Sequence, residues 1–389
     1  MFRISRLHEV MKGLSRGAFE RIVARYGADK HCKGFSSYDQ LVAMVFGQLS
    51  GAQSLRTLEA GFNSHESHHY HLGTGRVSRS TLADANNKRT SAVYAATAQA
   101  LMAQAGRRIR PRLPLLKLLD STTIHLAGRG LDDWASAART RCGQGLKVHV
   151  LWDEARGVPQ QQRISGTTVN DRDMAVEMPL EADVTYVFDK AYCDYQWWHR
   201  IGTTGAHFVT RFKRNAALVV QTQRPIPAAD QSVILSDEVV TLKHTYARGG
   251  RPASPDLQLR RIRVARDGDD EPLVLATNDL TRPASEIAQC YRARWRIELF
   301  FKWIKQHLNV KRFLGRSENA VRIQLYCALI TYLLLVLYRQ THAPQQNLWL
   351  LLSQLSATLF QRPATDAELY RRRRTRRAEI AARQGVLWG

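Results

Sequence analysis

Between residues 115 and 211, short apolar runs and helical stretches alternate in an order that leaves few folds open. Leu115–Leu119 is apolar, Gly145–Trp152 alternates apolar and polar side chains, and Gln161–Thr168 follows a Gly-Val-Pro turn, so all three read as strands. A helix over Asp173–Leu180 leads to a strand at Val184–Phe188, then a helix near Tyr195–Ile201 and a strand at Ala206–Arg211. The order β-β-β-α-β-α-β predicts an α/β sheet that mixes antiparallel and parallel strands. Two of these strands run straight into a carboxylate. Asp120 follows Leu119, where the first strand is expected to leave its sheet, and Asp189 follows Phe188. Neighbouring strands ending in acids can place both within reach of one divalent cation, and hard oxygen ligands favour Mg2+ or Mn2+.

A helix offers a third acid. Tyr291, Arg294, Glu298 and Lys305 recur at offsets of three, seven and fourteen. At helical pitch they share one stripe about 60° wide. Beside it, Ile297, Phe300, Phe301, Ile304 and Leu308 form an apolar face suited to a core. Three converging acids can hold two metal ions, one at the attacking oxygen and one at the departing oxygen. Phosphoryl transfer develops charge on non-bridging oxygens, which the fixed charges of Arg294 and Lys305 and the Tyr291 hydroxyl would stabilise. The competing reading of the same helix is a solvated face on which Glu298 pairs with Arg294 and Lys302. Asp153 also ends a strand and is the main rival to Asp120. Asp132, Asp133, Asp171, Asp173 and Glu177 fall in loops or first helical turns, where capping is the ordinary role.

The flanking segments have a different texture. The first hundred residues read as helices, with apolar periodicity over Leu41–Leu49 and Ala92–Ala105. His65, His68, His69 and His71 cluster between them, without the Cys pair or downstream ligand set of a zinc site. In Val77–Arg89, Ser78 or Ser80 can cap a short helix, and Arg79, Ser80, Asn86, Lys88 and Arg89 supply donors for phosphates and base edges. A turn followed by such a helix fits a helix-turn-helix reader. The run RRIRPRLP marks a boundary, and residues 215–285 read as a β-rich insertion rather than a continuation of the α/β core. Five regions are therefore expected. These are a helical DNA-binding domain over 1–110, a first core part over 111–214, the insertion over 215–284, a second core part over 285–345, and a basic helical tail over 346–389.

A formal net charge of +23 over 389 residues points to a polyanionic partner, nucleic acid before membrane. Five scattered cysteines without CxxC spacing argue against a disulfide framework and for a reducing cytoplasm. The N-terminus has no apolar signal core. The apolar run Leu325–Tyr338 covers 14 residues, where a membrane span needs about 20.

Taken together, Asp120-Ser-Thr-Thr, Asp189-Lys-Ala-Tyr192 and Tyr291-x2-Arg294-x3-Glu298-x6-Lys305 resemble the Asp-Asp-Glu transposases of bacterial insertion sequences. In particular they resemble the group marked by the Tyr-Arg-Glu-Lys (YREK) signature. The stretches GLKVHV, AHFVTRFKRN, FFKWIKQHLNVKRFLGRSENAVRIQ, and YHLG followed by SRSTLADAN extend the similarity over roughly residues 15–340. The resemblance implies an RNase H-like catalytic core interrupted by a β insertion before the catalytic glutamate. It implies two Mg2+ ions, replaceable by Mn2+, on Asp120, Asp189 and Glu298, with Tyr291, Arg294 and Lys305 on the DNA backbone around the cut. Trp295 resembles a tryptophan that stacks on a displaced base, and Arg211 and Lys213 are candidate phosphate contacts. The implied enzyme is a bacterial cytoplasmic, nucleoid-associated protein that pairs as a homodimer. It binds terminal inverted repeats in double-stranded DNA, nicks them, and transfers the ends to target DNA through a hairpin. An RNase H-fold nuclease without strand transfer and a non-catalytic DNA-binding regulator are the alternatives.

Overall fold

The computed structural model describes residues 4–109, 115–126, 145–243, 257–266, 268–363 and 374–375. The RRIRPRLP boundary falls largely outside these residues, as do Asp132, Asp133, Cys142 and most of the Arg371–Arg377 run. Two compact units emerge, one of residues up to 89 with those from 334 onward, the other of residues 90–333.

The first unit is helical: α1 (Arg6–Met11), α2 (Arg16–Tyr26), α3 (Ser37–Ser50), α4 (Leu55–Asn63), α5 (His69–Leu72) and α6 (Arg79–Lys88). Local chemistry sets the helix ends. Ser36 and Asp39 form a reciprocal capping box that starts α3, and Gly51 ends it with a left-handed φ of 69°. Leu41 through Leu49 are buried. Phe46 packs edge-on to Phe62 at 5.3 Å and tilted to Phe360 at 5.7 Å.

The second unit is built on one nine-stranded sheet of order β3-β2-β1-β4-β5-β9-β8-β7-β6. Its strands are β1 (Leu116–His125), β2 (Gly145–Asp153), β3 (Val158–Gly166), β4 (Thr185–Phe188), β5 (His207–Arg211), β6 (Leu218–Gln223), β7 (Ile234–Leu242), β8 (Gln258–Arg266) and β9 (Asp269–Thr277). Strand β4 lies parallel to both β1 and β5, and every other pairing is antiparallel. This is the mixed sheet expected from residues 115–211.

The helices of this unit are α7 (Ala92–Arg107), α8 (Asp171–Val176), α9 (Tyr195–Thr203), α10 (Ala284–Ala293), α11 (Trp295–His307) and the long α12 (Glu318–His342), which continues beyond residue 333; α13 (Leu348–Ser356) belongs to the first unit. Trp197, Trp198 and Ile201 of α9 pack with Phe188 and Phe208 in a buried cluster on one face of the sheet.

Two features differ from the sequence expectation. Helix α7 groups with the sheet rather than with the helices before it. It packs along β3, where Gln99 donates to the Gln160 carbonyl at 2.9 Å. The insertion strands, in turn, do continue the core sheet. Strand β9 pairs with β5 from Val209↔Thr277 to Arg211↔Leu275 and so covers an edge that would otherwise offer unpaired backbone. The pattern of a strand reveals its faces but not its neighbour.

Helix α12 is 25 residues long and, by length and composition alone, apolar enough to cross a membrane; 89% of its apolar window is buried within the protein. The polar turns at each end carry the helix beyond the 14-residue apolar run.

Candidate active site

The parallel pairing of β1 and β4 ends at Leu119↔Phe188, so Asp120 and Asp189 follow side by side on adjacent strands. Contrary to expectation, β1 does not end at Asp120. It runs on to His125 against its long partner β2, and only β4 stops. Asp189 opens a 3₁₀ turn over Lys190–Tyr192 and accepts the Lys190 N–H at 2.6 Å.

Glu298 lies in the first turn of α11. The single helix expected through the stripe is two helices. Arg294, between them, keeps helical dihedrals (φ −51°, ψ −31°), but its N–H reaches the Tyr291 carbonyl at 3.1 Å, a 3₁₀-type tightening.

Arg294 binds the site together. Its Nη2 lies 2.5 Å from Glu298 Oε1 and its Nη1 lies 3.4 Å from Asp120 Oδ2. One rigid guanidinium therefore holds carboxylates from a strand and a helix within about 8 Å of each other. Arg211, at the end of β5, donates to Asp189 Oδ1 at 2.8 Å. Burial pushes the Asp120 carboxyl up to about 6; the Ser121 N–H and Arg294 oppose the shift, while Glu298 and Asp189 add to it. Burial also raises Asp189, but the donors from Arg211 and Lys190, with the charges of Arg211 and Arg294, outweigh it and hold that carboxyl below its ordinary value.

Tyr291 is buried, with its ring 5.8 Å from the Arg294 guanidinium, and burial raises its hydroxyl above the ordinary tyrosine value against the pull of Arg211 and Arg294. The structure thus gathers five predicted residues, Asp120, Asp189, Tyr291, Arg294 and Glu298, together with Arg211. Lys305 is not gathered with them. It lies two turns along α11, and among the described residues it makes no hydrogen bond or ion pair to the three carboxylates. Burial lowers its ammonium below the ordinary lysine value, with repulsion from Lys311 adding to the effect. Trp295 is 60% exposed beside Arg294, and Lys213 is exposed just beyond β5.

The helical unit holds the other predicted contacts. Arg79, Ser80 and Lys88 are exposed on α6. Two predictions need correction. Asn86 is 1% exposed and its Oδ1 accepts from Gln40 Nε2 at 2.7 Å. Arg89 donates to Ser36 O at 2.8 Å and to Gln40 Oε1 at 3.0 Å. Both side chains tie the end of α6 to α3 because Gln40 supplies a buried polar partner there, so neither presents its donors to a DNA groove. Ser78 precedes α6, but its Oγ meets Ser80 Oγ at 2.9 Å instead of capping the helix.

One cluster was not anticipated. Asp171 Oδ1 accepts from Ser121 Oγ at 2.7 Å and lies 3.4 Å from Lys147 Nζ and 3.5 Å from His149 Nδ1. His149 Nε2 in turn meets Ser165 Oγ at 2.8 Å. Burial lowers His149 to about 4, so the imidazole is neutral near pH 7. Ser121, directly after Asp120, was the available signal, whereas Asp171 read only as a helix cap. The rival Asp153 caps a turn, accepting from Arg156 N at 3.0 Å and Arg156 Nη1 at 2.6 Å.

Three carboxylates on two strands and a helix, one of them raised by burial and by its acidic neighbours, form a hard donor set suited to a divalent cation. Among the described residues no three such groups stand at coordination distance as they are, and Arg294 lies between two of them.

Comparison with known proteins accords with this geometry. The family described as Transposase DDE domain matches residues 111–334, and a domain of unknown function matches residues 3–75. The chain is 43% identical over 258 residues, 65% of its length, to "Putative transposase y4zB" of Sinorhizobium fredii, and covers 69% of that protein. It is 31% identical over 228 residues to "Probable transposase for insertion sequence element IS5377" of Geobacillus stearothermophilus, covering 58% of this chain and 57% of the relative. Among solved structures, the cryo-EM structure of the piggyBac transposase synaptic complex with hairpin DNA shares the fold. Its TM-score is 0.50 at 10% identity, over 96% of this chain and 84% of that one.

Proposed function

The chain belongs to the DDE transposases of bacterial insertion sequences, DNA-cleaving and strand-transferring enzymes with an RNase H-like fold, and on that premise we propose how its own residues do this work. The protein binds the terminal inverted repeats of its element as double-stranded DNA, pairs two ends as a homodimer, and acts in the bacterial cytoplasm at the nucleoid. Asp120, Asp189 and Glu298 hold two Mg2+ ions, with Mn2+ able to replace them. When bound, the ions supply Lewis-acid activation of the attacking oxygen and charge stabilisation of the leaving oxygen.

The chain supplies the rest. Arg294 and Arg211 carry fixed charge to the scissile phosphate, and the buried Tyr291 hydroxyl donates beside them. Lys305 contacts the backbone two turns further along α11. Exposed Trp295 stacks on a base displaced at the cut, and Lys213 follows the strand away from it. Arg79, Ser80 and Lys88 on α6 read the repeat. The freed 3′-hydroxyl attacks the phosphodiester of the opposite strand and displaces the 3′-oxygen of the flanking DNA, forming a hairpin that water reopens by hydrolysis before transfer to target DNA. The observation that carries this reading is the Arg294 guanidinium, which contacts both Asp120 on the strand and Glu298 on the helix.

Asp120→Ala, Asp189→Ala and Glu298→Ala are each expected to abolish Mg2+-dependent cleavage of end DNA while leaving end binding within about twofold of wild type. Full cleavage by any one of them would remove that residue from the ion site. Hairpin and joined products on a gel distinguish this reaction from that of a simple nuclease, which yields nicks alone.

A further inference from the structure

The chain already neutralises its own carboxylates. Arg294 spans Asp120 and Glu298, and Arg211 holds Asp189. A divalent ion shared by Asp120 and Glu298 must come within about 2.1 Å of oxygens on both. The Arg294 guanidinium lies between those oxygens, so it and the ion cannot occupy the same place. Breaking a partly buried ion pair leaves a desolvated charge behind, so Arg294 leaves readily only where another anion receives it. A DNA phosphate is such an anion, with an oxygen geometry that a guanidinium matches in two-pronged fashion.

We infer that Arg294 is a positioning residue that acts as a removable counter-ion. In the protein without DNA it bridges Asp120 and Glu298, holding them near each other but wider apart than two ligands of one ion, and excludes the ion. When end DNA binds, Arg294 transfers to a phosphate and vacates the position. Ion binding and DNA binding are then positively coupled, and by linkage each strengthens the other by the same factor. The coupling keeps the site from loading ions, and cutting, away from its substrate. This inference rests on the proposed three-carboxylate ion site.

The test is direct ion binding, read as free Mn2+ by electron paramagnetic resonance, on the full chain with and without a short end duplex. Wild type should bind Mn2+ weakly alone and about tenfold more tightly with the duplex, within the usual range of such couplings. Arg294→Gln should bind Mn2+ at least fivefold more tightly than wild type without DNA and lose most of the gain that DNA brings. Arg294→Lys keeps the charge but cannot reach both carboxylates, and should fall between the two. Asp120→Asn and Glu298→Gln serve as the reference. If neither weakens Mn2+ binding, the ion site itself is misplaced. If both weaken it while Arg294→Gln binds Mn2+ no better than wild type, the counter-ion role is overturned and the site stands.

Discussion

Asp120 must stay charged in a place that disfavours charge. Burial, with Glu298 and Asp189 adding to it, puts its carboxyl at about 6 in the folded chain, against 3.8 for an ordinary aspartate. Between those two values the folded state holds a proton that the unfolded state has already released, so stability falls as pH rises through this window. Above about pH 6 the whole cost of the buried charge is present, and below the ordinary value it is gone. Asp120→Asn should therefore gain about 1–3 kcal/mol at pH 7.5 and nothing at pH 3.5. Urea unfolding of both proteins at the two pH values checks this, and a loss of stability at pH 7.5 would count against a strained carboxyl. Asp120 and Asp189 could be found in the sequence because each follows an apolar run, and Glu298 because helical phase links it to its neighbours. Asn86 and Arg89 could not be assigned in the same way. A polar side chain on an amphipathic helix reads as solvent-facing unless its buried partner, here Gln40 some 46 residues earlier, is known.

Elements fix these residues through pairings that local patterns do not encode. Asp171, at the start of α8, collects Ser121, Lys147 and His149 on one oxygen and so anchors β1 immediately after Asp120. Asp171→Ala should slow single-turnover cleavage by about tenfold or more while leaving end binding nearly unchanged, since misplacement of a reacting group weakens catalysis before it weakens binding. Asp171→Asn keeps an acceptor for Ser121 and should recover part of the rate. Equal losses in binding and cleavage would instead indicate general unfolding. Further along the sheet, Arg260 on β8 is 1% exposed and grips Asp237 on β7 through bonds of 2.6 and 2.5 Å. Arg260→Ala leaves that buried carboxylate with only the longer contact to Arg224 Nε at 3.6 Å, and should cost about 3 kcal/mol in urea unfolding. Most strands and helices of the core were legible from alternation and periodicity. The continuity of the insertion with that core was not, because it depends on β9 returning to β5 across more than 60 residues. The break at Arg294 was also hidden, since its backbone stays helical and only the hydrogen-bond spacing changes.

Across the whole molecule, the excess of 57 lysines and arginines over 34 acids sets how the chain meets DNA. Contacts to six or more phosphates should make affinity for end DNA fall about 10³-fold or more between 50 and 200 mM salt. A filter-binding titration across that range measures it, and a flat response would mean that the charge serves something other than the DNA backbone. Composition revealed this electrostatic character at once, and the division between helices and sheet was visible in texture. The point at which the chain passes from one unit to the other was not, because α7 looks like the helices before it and declares its allegiance only by packing on β3. Whether Asp120, Asp189 and Glu298 share divalent ions is decided by anomalous diffraction from Mn2+ in crystals of the full chain bound to an end duplex. Two peaks about 4 Å apart are expected among these three side chains, with Arg294 turned toward a phosphate. Peaks elsewhere, or carboxylates lying more than about 12 Å from one another around an empty centre, would contradict a shared site.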